Sequence, residues 1–441
     1  MKGCQQSGSQ FRDTTAPVTT IIMFRLMLHR ALTEDLVARH IDIKAAYLNA
    51  PLAEDIYMRV PPGVSADGDK FVCKLKRSLY GLRQSGANWY SMVNATLQEY
   101  GYQQSEYDPC LFRLRRSGSK EATITVYVDD FIVIGDEETV EQLEKQLSER
   151  YEITATDLRV YLSQRIEASD GSFIVTQSSY TSAMIQACGL SEANRARSPC
   201  ITSEANNGSQ NALDAGEFRR VVGQLNWLQM TVRPDITYAV HKLSRRVHEP
   251  RPQDLAAPKR VLRYLNGTRD AGVCIRGGGE LIAYVDSDWA TDVETRKSVS
   301  GFIIGFANGR HFTPIVWRAK RQTCVASSTC EAEYIACHEV CRELSYVRGV
   351  LQELGWIGDA PTNVYCDNHA AVVIANDDGK RTKFARYIDI RFHYARWSVR
   401  DGRVRFVDVS TRVNLADAFT KALSHTRHIE LANQFMNGLT H

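Results

Sequence analysis

The 441-residue chain lacks any long uninterrupted apolar run. Its most apolar early stretch, residues 21–32, is broken by Arg25, His29 and Arg30, well short of the roughly 18–20 apolar residues that a membrane-spanning helix needs. No membrane partner and no export signal are therefore expected. Excess charge is also missing: 54 Lys and Arg against 51 Asp and Glu leave a formal +3. With 44% hydrophobic and 24% charged residues, the composition excludes a disordered, collagenous or coiled-coil chain. Paired cysteine spacing is absent too. Eleven cysteines, an odd number with no C-x2-C pair, fit the reduced thiols of a cytosolic or nuclear protein and not a secreted disulfide framework. Cys324, Cys330, Cys337 and Cys341 near His338 accordingly read as core thiols and not as a zinc site, although Cys337 and Cys341 share a helix face. Gly277-Gly278-Gly279 has neither the spacing nor the lysine of a phosphate loop and reads as a turn. No period of 20–50 residues repeats.

What is present is organised. The length allows two or three domains, each able to bury a core. Residues 1–16 are polar and expected to be frayed. A helix-like pattern over 19–39 gives way to short apolar runs at 40–47, 56–60, 71–75 and 124–134, with helical spacing over 86–100 and over 137–151, where Val140, Leu143 and Leu147 recur. Strands alternating with helices predict an α+β domain over 17–190. A stretch rich in Asn, Ser and Ala at 191–215 reads as a linker, 216–278 as a helical connector, 279–425 as a second α/β domain with strand-strand-strand-helix-strand-helix order, and 426–441 as a tail.

The small net charge is an average over unlike segments. From 380 to 405 nine Lys and Arg meet only Asp389 and Asp401, a local +7, so the remainder sums to −4. Such a patch suits nucleic acid, because neutralised phosphates release condensed counterions; a solvated helix face is the alternative.

Two groups of acids stand out. Asp42 lies in the apolar middle of H-I-D-I-K-A-A-Y-L, and Asp129 and Asp130 lie at the tip of an expected hairpin, Y-V-D-D. Carboxylates among apolar strand residues call for a compensating charge. On neighbouring strands these three acids would hold two divalent ions for phosphoryl transfer, and the hard oxygen donors suit Mg²⁺, or Mn²⁺ in its place. Otherwise Asp129 and Asp130 are turn residues and Asp42 a strand-end acid.

The segments HIDIKAAYLNAP (40–51), LYGLRQSGANWY (79–90) and YVDDFIVIG (127–135) together resemble the palm motifs of reverse transcriptases from copia-type LTR retrotransposons. The resemblance implies that Asp42, Asp129 and Asp130 are metal-binding acids. It implies that Tyr47 is an aromatic gate selecting deoxynucleotides, and that Gln84 contacts the incoming nucleotide. Aromatic packing and a helix-start polar residue are the respective alternatives. RNA template, DNA primer and deoxynucleoside triphosphates are the implied partners.

The second group is Asp286 in A-Y-V-D-S-D-W-A, Glu331 in S-S-T-C-E-A-E-Y, Asp367 in V-Y-C-D-N and Asp417 in N-L-A-D-A-F-T-K. Four acids at the ends of successive elements can converge on two metals and hydrolyse a phosphodiester. Their order and local sequence resemble the ribonuclease H module that follows copia-type reverse transcriptases, with RNA–DNA hybrid as the implied substrate. Against this, Ser328-x-x-Glu331 is also a capping box, Asp288 competes with Asp286, and Asp367 is placed to cap a helix. The basic segment matches the family's Arg-Thr-Lys…Ile-Asp-Ile-Arg-x-His region and reads as a hybrid-binding helix, with Lys383, Arg386, Arg391 and Arg396 as the expected contacts. Trp397 either stacks on the hybrid or packs on its own helix.

The resemblance runs from about residue 11 to 423. It implies the C-terminal part of a polyprotein: an α+β polymerase palm of the right-hand type, a helical connector and an α/β ribonuclease H-like domain, with two ions per active site. It implies cytoplasmic residence, in virus-like particles, or nuclear residence. It begins just after the family's fingers strands, implying a polymerase shortened at its N-terminus; Ser85-Gly86 replaces the usual Ala-Pro, and 157–166 is shorter than the primer-gripping hairpin. The alternative classes are a nucleic-acid-binding protein without turnover and a chain that keeps ribonuclease H alone.

Overall fold

A computed structural model describes residues 6, 14–61, 63–64, 71–115, 121–200, 213–292, 294–377 and 390–439, the side chains of 390 and 391 excepted. Two compact units divide between Leu158 and Arg159. Among the described residues no helix is long and apolar enough to cross a membrane.

The first unit runs α1 (Ile21–Thr33), β1 (Val37–Ile43), α2 (Ala46–Asn49), β2 (Tyr57–Arg59), β3 (Val72–Lys74), α3 (Ser85–Glu99), β4 (Gln103–Gln104), β5 (Leu111–Arg115), β6 (Glu121–Tyr127), β7 (Asp130–Gly135), α4 (Glu137–Arg150) and β8 (Ile153–Asp157). Six of its strands form a sheet in the order β4-β5-β6-β7-β1-β8, and β2 and β3 form a separate hairpin. Alternate residues of the central strands, Ile41, Ile43, Phe131 and Val133, join Trp89, Val93 and Leu97 of α3 and Val140, Leu143 and Leu147 of α4 in one core. Helix α1 also packs on β7, and Ile132 and Ile134 between those core positions are buried as well. A strand covered on both faces explains the continuous apolar run at 131–134. The expected strand over 40–47 stops at Ile43 because Ala45 turns the chain with φ 51° into the short helix α2.

The second unit contains β9 (Val160–Tyr161), β10 (Gln164–Ser169), β11 (Ser172–Thr176), α5 (Ser178–Ala187), α6 (Ala215–Thr231), α7 (Thr237–Ser244), α8 (Ala257–Gly267), β12 (Gly272–Arg276), β13 (Glu280–Asp288), β14 (Val299–Asn308), β15 (His311–Arg321), α9 (Thr329–Glu353), β16 (Thr362–Cys366), α10 (His369–Asn376), α11 (Tyr394–Arg400), β17 (Val404–Asp408), α12 (Asp417–Thr420), α13 (His425–Ala432) and β18 (Met436–Asn437). One sheet has the order β18-β12-β11-β10-β9. It draws on three segments that the sequence reading assigned to different parts: β11 pairs with β12 from the expected connector, and β12 with β18 from the expected tail. The unit boundary therefore lies near 158, not near 190. The buried pair Arg233–Asp235, 2.7 Å apart, anchors this region: Tyr264 Oη donates to Asp235 Oδ2 and His428 Nε2 meets the Asp235 carbonyl at 2.9 Å.

The other sheet has the order β15-β14-β13-β16-β17. Strands β13, β14 and β15 are antiparallel neighbours, whereas β16 and β17 run parallel to β13. The long helix α9 packs on β13 and β14, with Ser328 Oγ accepting from Glu331 N at its start.

Candidate active sites

In the first unit the antiparallel register sets Asp42 directly opposite Asp130, so both carboxylates leave the same face of the sheet. Asp129 occupies the tight turn between β6 and β7, where Tyr127 is paired with Asp130. Val128 takes φ 55° there, a left-handed conformation unfavourable for a β-branched residue. Two bonds hold that turn: Trp89 Nε1 donates to the Val128 carbonyl at 2.6 Å, and Ile43 N to the Asp129 carbonyl at 2.9 Å. Lys44 Nζ lies 2.5 Å from Asp42 Oδ2 and His40 Nε2 2.8 Å from Asp130 Oδ1. Burial raises the Asp129 carboxyl above its ordinary range, and the charges of Asp130 and Asp42 add to the rise. Three hard carboxylates with a surplus of negative charge fit divalent cations of the Mg²⁺ class.

Tyr47, in α2, packs its ring 4.7 Å from that of Tyr80. Both phenols are raised by burial first and by the Asp129 charge next, so the pair borders the acids. The sequence reading missed Tyr80, although it lies within the quoted 79–90 motif. Gln84 is buried ahead of α3, and its Oε1 accepts from Gln6 Nε2 at 3.1 Å. Gly86 lies so close to Ala16 that an added Cβ would stand 2.9 Å from the alanine methyl.

In the second unit Asp286 sits near the end of β13 and Asp367 just past the end of β16. The parallel register Val285↔Cys366 brings the two acids out side by side. Asp417 opens α12. One oxygen from each of Asp286, Asp367 and Asp417 lies within 4.8 Å of the others. The approach of α12 depends on Gly301, the register partner of Asp286: a Cβ there would stand 2.5 Å from Thr420 Cγ2 and 2.9 Å from Phe419 Cβ. Asn414 tethers the loop before it, donating to the Val285 carbonyl at 3.0 Å and accepting from Ala416 N at 3.0 Å. Thr420 Oγ1 donates to Asp286 Oδ2, and Lys421 Nζ lies 2.7 Å from Asp417 Oδ1 and 3.5 Å from Asp286 Oδ2. Burial, opposed by Lys421 and Thr420 and reinforced by Asp417 and Asp367, raises the Asp286 carboxyl to about 6. A nearly buried set of oxygen donors with an acid so raised fits a divalent cation.

Glu331 is not part of this cluster. Its carboxylate accepts from Ser327 N at 2.7 Å and Ser327 Oγ at 2.6 Å, on the capping side of the helix start. The acid that turns inward is Glu333, two residues on: it is buried and its carboxyl is held well above the usual range by burial first, then by Cys366, Asp286 and Asp367. The signal available in the sequence was its setting, a glutamate between Ala332 and Tyr334 on an apolar helix. Asp288 lies outside the trio.

The expected basic contacts divide differently. Lys383 and Arg386 lie outside the described residues, as does the Arg391 side chain. Arg396 is engaged within the unit, its Nη2 3.2 Å from Asp377 Oδ2. Trp397 stacks on Tyr394 at 5.2 Å, and the Arg403 guanidinium stands 4.6 Å from its ring.

Comparison with known proteins bears on the whole chain. Residues 1–202 match the family described as reverse transcriptase (RNA-dependent DNA polymerase). The chain is 33% identical over 98% of its length to the retrovirus-related Pol polyprotein from transposon RE1 of Arabidopsis thaliana, covering 29% of that protein. It is 31% identical over 96% of its length to the corresponding polyprotein from transposon TNT 1-94 of Nicotiana tabacum, covering 32% of it. The chain thus spans about a third of the length of these relatives. An uncharacterized mitochondrial protein of Arabidopsis thaliana is 32% identical over 51% of this chain and 93% of its own length. Among solved structures, the foamy viral protease-reverse transcriptase in complex with RNA/DNA hybrid shares the fold with a TM-score of 0.50 at 13% identity, over 91% of this chain and 46% of that one.

The fold is that of a reverse transcriptase polymerase followed by a ribonuclease H-like domain. The chain belongs to the copia-type retrotransposon reverse transcriptase family.

Proposed function

We propose that the chain is an RNA-directed DNA polymerase with ribonuclease H activity. Asp42, Asp129 and Asp130 serve addition of deoxynucleotides to a DNA primer on an RNA template. Asp286, Glu333, Asp367 and Asp417 serve hydrolysis of the RNA strand of RNA–DNA hybrids. The observation that carries the reading is the convergence of Asp286, Asp367 and Asp417 within 4.8 Å, the first two from neighbouring parallel strands and the third from the start of α12. Two Mg²⁺ or Mn²⁺ ions, when bound at each cluster, would supply activation of the attacking oxygen and neutralisation of the departing one.

The remaining roles belong to the chain's own groups. The Tyr47–Tyr80 pair walls the polymerase acids and excludes a ribose 2′-hydroxyl, and Gln84 contacts the incoming nucleotide. Thr420 and Lys421 hold Asp286 and Asp417 in place. Arg396 is a strut to Asp377, which leaves Lys383, Arg386 and Arg391 as hybrid contacts. The ten described cysteines are all free, in keeping with work in the cytosol, within particles of the element, or in the nucleus.

The test is to supply purified protein and Mg²⁺ with a primed RNA template and, separately, with an RNA–DNA hybrid, alongside Asp129→Asn and Glu333→Gln. Extension lost only in the first variant and hybrid cleavage lost only in the second support the proposal. Neither activity, with salt-sensitive hybrid binding retained, overturns it in favour of a binding protein. A second reading, ribonuclease H alone, draws on one contrast: among the described residues the three palm acids do not bring three donor atoms within 4.8 Å of one another, whereas the nuclease acids do. Hybrid cleavage without extension identifies that case.

A further inference from the structure

The thiols beside the nuclease acids take no part in the reactions above. Glu333 and Cys337 are four residues apart on α9 and so share one helix face. That face meets Cys366, the last residue of β16. Cys366 Sγ donates to Glu333 Oε2 at 3.9 Å, and the buried Cys337 thiol lies beside Cys366. One oxygen of Glu333, the sulfur of Cys366 and one oxygen of Asp367 lie within 4.8 Å of one another. Glu333 is only 6% exposed, and among the described residues it forms no ion pair; its carboxyl group is aimed at the sulfur.

Two carboxylates and two sulfurs form a donor set unlike that of the neighbouring cluster. Mg²⁺ takes oxygen ligands in octahedral geometry and has no use for sulfur. A borderline cation of the zinc class accepts thiolate and carboxylate together, in a tetrahedron. Asp367 belongs to both sets, since its oxygen also lies within 4.8 Å of those of Asp286 and Asp417.

We propose that Glu333, Cys366 and Asp367, with Cys337 as fourth donor, bind a thiophilic divalent cation of the zinc class, and that this cation turns hybrid cleavage off by drawing Asp367 and Glu333 toward the sulfur side. Binding releases the thiol protons to solvent. The inhibitory half rests on the ribonuclease H reading; the binding half does not.

Co²⁺ is the probe, because thiolate ligation gives it an intense sulfur-to-metal charge-transfer band. The full chain, freed of metal with a chelator, is titrated with Co²⁺ beside Cys366→Ser and Cys337→Ser, with circular dichroism confirming the fold of each. The expected result is a band in the wild type that saturates at one ion per chain, is displaced by Zn²⁺, and is lost in Cys366→Ser. If that variant does not fold, loss of the band in Cys337→Ser gives the same support. In a second arm Zn²⁺ is added to Mg²⁺-supported hybrid cleavage. Cys366→Ser cleaves as the wild type does with Mg²⁺ alone and needs about tenfold more Zn²⁺ for half inhibition. No thiolate band in the wild type, or a band undiminished in the serine variants, overturns the site. Equal inhibition of wild type and Cys366→Ser by Zn²⁺ overturns the switch. A band that behaves as expected in a protein that never cleaves hybrid supports the site and removes the nuclease reading instead.

Discussion

Asp42 and Asp130 stand directly opposite one another across the β1–β7 ladder, and each is engaged by a different basic residue, Lys44 for Asp42 and His40 for Asp130. Like charges opposite one another in a sheet repel, so the pair persists because each carboxylate has its own partner. A divalent ion entering between them meets two acids already aligned by backbone register. Asp130→Asn keeps the shape and removes the charge. Primer extension is expected to fall by about 100- to 10,000-fold, with far-ultraviolet circular dichroism and hybrid cleavage unchanged; equal loss of both activities would point to general damage instead.

Glu331 and Glu333 separate a cap from a site. Glu331→Gln weakens the bonds to Ser327 and is expected to lower stability by roughly 1 kcal/mol or less, leaving hybrid cleavage within a few-fold of normal. Glu333→Gln, by contrast, is expected to abolish measurable cleavage while the thermal midpoint holds, because the amide replaces a carboxyl that burial already favours in its uncharged form. Single-turnover cleavage and thermal melts on both variants check the pair.

Asp286 makes metal-free stability depend on pH. Its carboxyl is raised from an ordinary 3.8 to about 6 by burial, so the folded state holds the proton longer than the unfolded state does. The favourable contribution is fully present below about pH 4 and is lost as the pH rises through 6, up to about 3 kcal/mol in all. Asp286→Asn should therefore stabilise the metal-free protein at pH 7 and make no difference at pH 4. Mg²⁺ should raise the melting temperature of the wild type more at pH 7 than at pH 5, and the part of that rise due to the second unit should be lost in the variant. Melts at the three pH values, with and without Mg²⁺, decide it.

Trp89 is the support beneath the acid turn. Trp89→Phe keeps most of the ring packing but leaves the Val128 carbonyl without its indole donor. The expected cost is about 1–3 kcal/mol, with extension reduced and hybrid cleavage intact. A variant with normal stability and normal extension would show that the bond at Ile43 holds the turn alone.

The acids at strand ends were legible in the sequence because an Asp inside an apolar strand pattern is conspicuous: Asp42, Asp129, Asp130, Asp286 and Asp367 lie in strands or at strand ends. Glu333 was passed over because a helix start invites attention to its cap, and Ser328-x-x-Glu331 supplies a complete capping signal two residues early. Helix spacing, read further, places Glu333 and Cys337 on one face; what it cannot supply is Cys366, whose meeting with them depends on how β16 packs. The unit boundary was hidden for the same reason. Local pattern shows that 172–176 and 272–276 are strands, but not that they pair with each other.

Non-local pairing also sets an order of events during synthesis. Asp235 of the buried ion pair receives His428 from 193 residues further along the chain, and β12 gains its last neighbour, β18, only after every strand of the β15-β14-β13-β16-β17 sheet has left the ribosome. Until then the β12 edge of the β12-β11-β10-β9 sheet is open and a desolvated ion pair lacks part of its cover. The nascent chain thus carries a sticky edge for most of the second unit's translation, and a ribosome paused between β12 and β18 would present it to any neighbouring strand.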